Sequence, residues 1–375
     1  MTRPRLNHFA LSGLLFLGTL VMQGGIFAQV RIEADQTDMT LTAPARAEII
    51  EGVVKRLKHD YVFPETATKM AQSLENRLVK KEYDQVTSAK EFARLLTTHL
   101  QEISHDKHLH VVYLAVPPPQ FGPKQPTPDM KEKMRQSASA RNFGFEKVER
   151  LEGNIGYLDL RGFMPAELAG ETAAAAMNFL ANTDALILDL RKNGGGAPSM
   201  VALLCSYLFP AEPVVHLNDL YMRPEDSTHQ WWTLPYVPGK RYTDKEVFVL
   251  TSHRTFSAAE ECTYNLKSLK RATIVGETTG GGAHPGGPQR VNDHFFVWVP
   301  SGRAINPITK TNWEGTGVKP DIEVPADMAL KTAQLAALRK VAERKKSDPA
   351  ASKGLQRAIG SVQKELDELK AKQKE

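Results

Sequence analysis

The sequence predicts an α/β protein: a largely parallel sheet flanked by helices, preceded by a helical block and followed by a helical tail. Three observations carry this. From Asn154 onward, over about 130 residues, short apolar strands alternate with helical segments, the pattern of stacked βαβ units with right-handed crossovers. Before them, apolar residues recur at three- and four-residue intervals. After them, from Asp327 to Glu375, the chain is charged and helical in pattern.

The elements follow in order. "TAPARAEIIEGVVKRLKHDYVFPETATKMAQSLENRL" and "SAKEFARLLTTHLQEIS" predict amphipathic helices, broken near "VFPET" and around Tyr83 to Ser88. "HLHVVYLAV" has strand composition and leads into the proline-rich connection "PPPQFGPKQPTPDM", an exposed loop. Then "NIGYLDLRGF", "ALILDLR", "EVFVLTS" and "ATIVGE" read as strands. Between them "ELAGETAAAAMNFLA", "APSMVALLCSYLF" and "SAAEECTYNLKSL" read as helices. "VNDHFFVWVPSGRAINP" is a polar β region, and "SDPAASKG" interrupts the tail, which predicts a solvated hairpin or a contact between copies. The domain organisation expected is residues 1–28, 29–104, 105–326 and 327–375, the last two being the core and the tail.

Composition excludes several classes. With 375 residues and 41% hydrophobic content the chain can bury a sizeable core. The first residues give two arginines, an apolar run from Ala10 to Met22 and small residues up to Ala28, the zones of a secretory signal peptide; the run is shorter than the ~20 residues that span a bilayer. Export to the periplasm or the exterior follows, with no stable membrane span after cleavage. The net charge is +5, and removing residues 1–28 leaves +3, too little to point to nucleic acid. Cys205 and Cys262 lie among apolar neighbours in helical segments and read as core residues, with pairing open only if those helices touch. No H-E-x-x-H and no paired cysteines argue for a metal.

In a parallel sheet, ligands meet the carboxyl ends of the strands, where helix N-termini present free N–H groups. Two segments have that position. "ALILDLRKNGGGAPSM" ends a strand with Gly194, Gly195 and Gly196, whose N–H groups suit either half of an oxyanion hole or an unusual turn. "VLTSHRTFSAAEE" places Ser257 three residues before Glu260, a capping-box spacing. A serine at that place would also be a well-sited nucleophile, because the helix N-terminus stabilises developing negative charge.

"DLRKNGGG", "TFSAAEE", "KRATIVGETTGGG" and "GVKPDIEV", in this order and spacing, resemble the carboxyl-terminal processing, or tail-specific, serine peptidases across about His105 to Val324. The resemblance implies a crotonase-like or Clp-protease-like ββα spiral, with Ser257 as nucleophile and the N–H groups of Gly194 or Gly195 and of Ala258 as oxyanion donors. Two departures matter. The lysine base of that superfamily is absent, Gly282 standing in its place, and the residues between "HLHVVYL" and "NIGYLDL" are too few for a PDZ domain. Lys267 and Lys270 sit too far along the helix to replace it.

Both departures point to the branch that resembles interphotoreceptor retinoid-binding protein and the tricorn protease core. There a histidine of the N-terminal part activates the serine, and a glutamate supports it. "SHDKHLHV" gives His108 as that base and "NWEGTGVKPDI" gives Glu314 as that carboxylate, linked directly or through water because Lys107 replaces a bridging serine. His110 would share a strand face with His108, and His284 would line the cleft. The implied activity is acyl-enzyme hydrolysis of polypeptides without a cofactor. A carrier of hydrophobic, retinoid- or lipid-like ligands on the same scaffold is the alternative, and the tail would serve a homo-oligomer.

Overall fold

The computed structural model describes residues 37–116 and 128–373. The segment expected to be a signal peptide, and most of the proline-rich connection, lie outside the described residues.

Three helices come first: α1 (Ala43–Asp60), α2 (Pro64–Val79) and α3 (Ala89–Ser104). Thr42 and Ser88 cap α1 and α3 with their hydroxyls, as residues of this type do when they accept an otherwise unpaired N–H. Strand β1 (His110–Tyr113) and helix α4 (Pro128–Ser139) follow, then β2 (Phe145–Leu151), β3 (Ile155–Leu160), α5 (Ala166–Leu180), β4 (Ala185–Asp189) and α6 (Pro198–Tyr207). Next are β5 (His216–Met222), β6 (Ser227–Trp232), β7 (Glu246–Thr251), α7 (Ala258–Ser268), β8 (Thr273–Gly276), β9 (Gly286–Arg290), β10 (Phe295–Pro300) and β11 (Gly302–Ile305). The chain closes with β12 (Ile322–Glu323), α8 (Ala326–Arg344) and α9 (Pro349–Lys372).

The central sheet has the order β12-β8-β7-β4-β3-β2, parallel except for β2 at its edge. Its middle strand β4 is buried at every residue, as a strand covered on both faces must be. One face packs against α5, α6 and α7 through Leu186, Leu188, Val247 and Val249. The other, with Ile155, Ile187, Phe248 and Leu250, packs against Met328, Leu335, Leu338 and Val341 of α8, and α9 in turn covers α8 with Leu355, Val362 and Leu366. The tail is therefore one wall of the core rather than a solvated hairpin, because its apolar residues are needed to cover the second sheet face.

Helices α1 to α3 bury their apolar stripes with Val111, Phe295, Val297 and Val299 of the small sheet β1-β10-β9. This packing carries the loop after α3 to the carboxyl ends of the large sheet. A second small sheet, β11-β5-β6, was not legible: "HLNDLYM" and "STHQWW" break their alternation, and a register shift interrupts the ladder between His216 and Asn218. Cys205 and Cys262 are free and buried in the same core. No described helix is long and apolar enough to cross a membrane.

Candidate active site

The site forms where β4 and β7, adjacent parallel strands, end side by side. After β4 the turn from Arg191 to Ala197 is braced by Asn193. Its side-chain amide donates to the Leu160 carbonyl (2.9 Å), its Oδ1 accepts from Gly195 N–H (2.8 Å), and its carbonyl accepts from Phe256 N–H (3.1 Å). That last bond ties the glycine turn to the residue before Ser257.

Gly195, at φ +110°, lies against the serine: a Cβ there would come 2.7 Å from Ser257 Cβ and 2.9 Å from the Phe256 carbonyl. Only glycine permits both the angle and the approach. Its N–H, expected to serve an oxyanion, donates here to Asn193 Oδ1. The N–H groups of Gly194 and Ala258 take no partner among the described residues.

Ser257 stands half-buried at the N-terminus of α7 with φ 54° and ψ −125°. A non-glycine residue held at such angles costs on the order of 1 to 3 kcal/mol, strain that concentrates at functional sites. The strain is held by Glu260, whose carboxylate accepts from Ser257 N–H (3.0 Å), Gly282 N–H (2.8 Å), Gly281 N–H (2.6 Å) and the Thr279 hydroxyl (2.5 Å). The strand-to-helix turn thus has the sharp geometry of a nucleophile elbow without the G-x-S-x-G sequence.

His108, on the loop between α3 and β1, packs its ring on Phe256 with centroids 4.5 Å apart. It is 9% exposed, and no hydrogen bond joins it to Ser257. Gly282 packs against both rings, since a Cβ there would come 2.7 Å from His108 Cε1 and closer to the Phe256 ring. Burial pushes the imidazole down to about 4, with Asp106 opposing the shift and His284 and His110 adding to it. Its Nδ1 is buried with no hydrogen-bond partner, 4.0 Å from Asp106 Oδ1.

Asp106 is the residue that the sequence analysis missed. It is 1% exposed and accepts His108 backbone N–H (3.0 Å) on Oδ1, and the Tyr61 hydroxyl (3.3 Å) and His284 Nδ1 (2.8 Å) on Oδ2. The available signal was an aspartate two residues before the histidine in "SHDKHLHV", the spacing at which an Asx turn closes on the following backbone.

Glu314 was expected beside His108. Instead its Oε2 lies 3.5 Å from His284 Nδ1 and accepts from Ala283 N–H (2.5 Å), while Oε1 is buried and unpartnered. Burial and the nearby Asp106 charge push the Glu314 carboxyl up to about 7. His284 is itself buried rather than lining an open cleft, with its ring edge-on to Phe63. Lys107 turns away and donates to the Gly280 carbonyl (2.5 Å).

Donor atoms of Asp106, His284 and Glu314 lie within 4.8 Å of one another, a possible ligand set. The 2.8 Å between Asp106 Oδ2 and His284 Nδ1 is a hydrogen-bond separation. It is shorter than the ~3.3 Å expected between two ligands on a tetrahedral zinc, so the set fits a proton better than a metal.

The remaining candidates separate clearly. His110 stacks on Trp298 at 5.9 Å and turns Nδ1 to the His108 carbonyl (2.7 Å). His105 is the exposed left-handed residue that ends α3. Lys267 donates to the Lys319 carbonyl and pairs with Asp321 at 2.8 Å.

A strained serine thus stands at a helix N-terminus against a glycine turn, next to the Phe256 ring on which a buried histidine packs. Residues 154–324 match the model of peptidase family S41, and residues 38–143 match the N-terminal domain of S41 peptidases in eukaryotic IRBP. A tail-specific protease of Haemophilus influenzae is 28% identical over 177 residues, which are 45% of this chain and 23% of the relative. The chain thus spans less than a quarter of that curated relative. Among solved structures, a mutant of CPAF superposes with a TM-score of 0.54 at 12% identity, over 76% of this chain and 94% of that one. A lipoprotein from Streptococcus agalactiae does so with 0.51 at 15% identity, over 80% and 98%. Both likenesses concern the fold.

Proposed function

We propose that the chain is an exported serine peptidase that cleaves polypeptides through an acyl-enzyme. The observation that carries this reading is the strained Ser257 at the mouth of α7, pressed against Gly195 and adjoining the Phe256 ring on which His108 rests. The match to the S41 family model and the tail-specific relative support the same chemistry. Ser257 Oγ attacks the scissile carbonyl carbon and passes its proton to the neutral His108, which hands it to the departing amine. Water then repeats the sequence on the ester, using His108 again as base. The carbonyl oxygen, negative in each tetrahedral intermediate, is held by the N–H groups of Gly194 and Ala258 and by the N-terminus of α7. Contacts between nucleophile and base tighten when substrate displaces water.

Export rests on the pattern of residues 1–28. Sequencing the N-terminus of the native protein should give Gln29, and an intact Met1 would refute processing. The activity is tested with a fluorophosphonate probe, followed by mapping of the modified peptide. Label on Ser257, lost together with peptide hydrolysis in Ser257→Ala, is the expected result. An unlabelled Ser257 beside normal turnover would make it only a helix cap, and saturable binding of an apolar ligand without labelling or turnover would favour a carrier.

A further inference from the structure

We infer that Asp106 and His284 are positioning residues for His108, forming a relay Ser257–His108–Asp106–His284 in which Glu314 reaches the base only through His284. The inference rests on the peptidase reading and names the supporting groups of that same site.

The two oxygens of Asp106 divide the work. Oδ2 is fixed by His284 Nδ1 at 2.8 Å and by the Tyr61 hydroxyl at 3.3 Å. Oδ1 is fixed by the His108 backbone N–H at 3.0 Å and faces His108 Nδ1 across 4.0 Å. Every hydrogen-bond donor on this carboxylate holds it in one orientation, aimed at the buried, unpartnered Nδ1 of His108.

The gap itself has a consequence. A neutral imidazole gains little from a carboxylate 4.0 Å away, but when Nε2 takes the serine proton the ring becomes a cation, and Nδ1–H and Oδ1 attract strongly in this buried place. The contact is then worth more in the transition state than in the ground state, which is the condition for accelerating the chemical step. Withdrawing the His284 donor would free Asp106 to turn toward Tyr61 and lose that aim.

Glu314 has a lesser part. It lies 3.5 Å from His284 Nδ1, beyond the stronger bond to Asp106, and its Oε2 is held by Ala283 N–H. It backs His284 without touching His108.

The test is steady-state peptide hydrolysis by the full chain with Asp106→Asn, His284→Ala, His284→Asn and Glu314→Gln. Asparagine places an amide N–H where the imidazole has Nδ1–H, so it keeps the donor and discards the ring. Asp106→Asn should lower kcat by about 10²- to 10⁴-fold, as removal of an orienting carboxylate does, with little change in KM. His284→Ala should lower kcat by on the order of tenfold or more, and His284→Asn should recover most of it. Glu314→Gln should stay within a few-fold of wild type.

Equal losses in His284→Asn and His284→Ala, or a loss in Glu314→Gln as deep as in Asp106→Asn, would overturn the relay. If Asp106→Asn or both His284 variants fail to fold, ¹⁵N-histidine NMR of the wild type decides. A His284 Nδ1–H protected from exchange and downfield-shifted supports the relay, and an Nε2–H tautomer with Nδ1 bare refutes it. Absence of both turnover and Ser257 labelling in the wild type sinks the peptidase reading and the relay with it. Normal labelling with unaffected Asp106→Asn turnover sinks the relay alone.

Discussion

The backbone N–H of Ser257 donates to the carboxylate of Glu260, and that same carboxylate holds Gly281 and Gly282 on the opposite side. One buried side chain thereby fixes the strained turn of the proposed nucleophile and the loop that packs against the proposed base. Glu260→Ala would leave three N–H groups and the Thr279 O–H donor without their acceptor, at about 1 to 3 kcal/mol for each buried group left unsatisfied. Urea unfolding should show a loss on the order of 3 kcal/mol or more, together with loss of hydrolysis. A change below about 1 kcal/mol would show that the carboxylate is not holding these segments.

Gly282 offers a steric test of the same loop. Its φ lies outside the left-handed region, so Gly282→Ala adds no backbone strain of that kind, and its whole effect comes from the methyl group pressing on His108 and Phe256. Since displacements of about 1 Å can cost 10²-fold in rate, kcat/KM should fall by at least tenfold, with the overpacked methyl costing about 1 to 3 kcal/mol of stability. Unchanged kcat/KM would mean that the His108 ring can move without consequence.

The capping-box spacing was legible because it is local: three residues separate Ser257 from Glu260, and the carboxylate does reach back to the serine N–H. What the spacing could not give is that Glu260 also serves residues 279–282, since that contact depends on how β8 returns beside α7. His108 was singled out by its segment, whereas the approach of Glu314 to His284 at 3.5 Å was not legible, for the same reason. A distance between loops is set by packing, not by sequence. Asp106, which is local to His108, carries a readable signal in its spacing from that histidine.

The central sheet was legible from its apolar runs, whereas the role of the tail was not. Charge made α8 look solvated, yet eight of its side chains are buried, including Leu338, at 0% exposure against the sheet. Leu338→Ala should cost about 2 to 5 kcal/mol, the range for emptying a packed leucine site, with the urea midpoint reporting it. A loss below about 1 kcal/mol would indicate that α8 detaches from the sheet in solution.

The last expectation concerns pH, where two buried groups act in opposite senses. His108 is held down to about 4, against the ordinary histidine value of 6.5, by burial first. It remains neutral, and able to accept a proton, well below the usual histidine range, so kcat/KM should persist through pH 6 and fall only as pH approaches about 4. In the same window the unfolded chain binds a proton that the folded chain refuses, so His108 makes stability rise with pH between about 4 and 6.5. Glu314 is raised to about 7 by burial, so the folded chain keeps a proton that the unfolded chain has lost. Its contribution therefore falls as pH rises from about 4.5 to 7. Glu260 and Glu261, raised by burial to about 7 and about 8, add to that fall, so wild-type stability declines as pH rises across this window. His108→Phe should steepen the decline by removing the one opposing rise, and Glu314→Gln should make it shallower. Urea midpoints measured at half-unit intervals from pH 4 to 8 give the answer, and parallel profiles for wild type and both variants would show that neither group is buried as described.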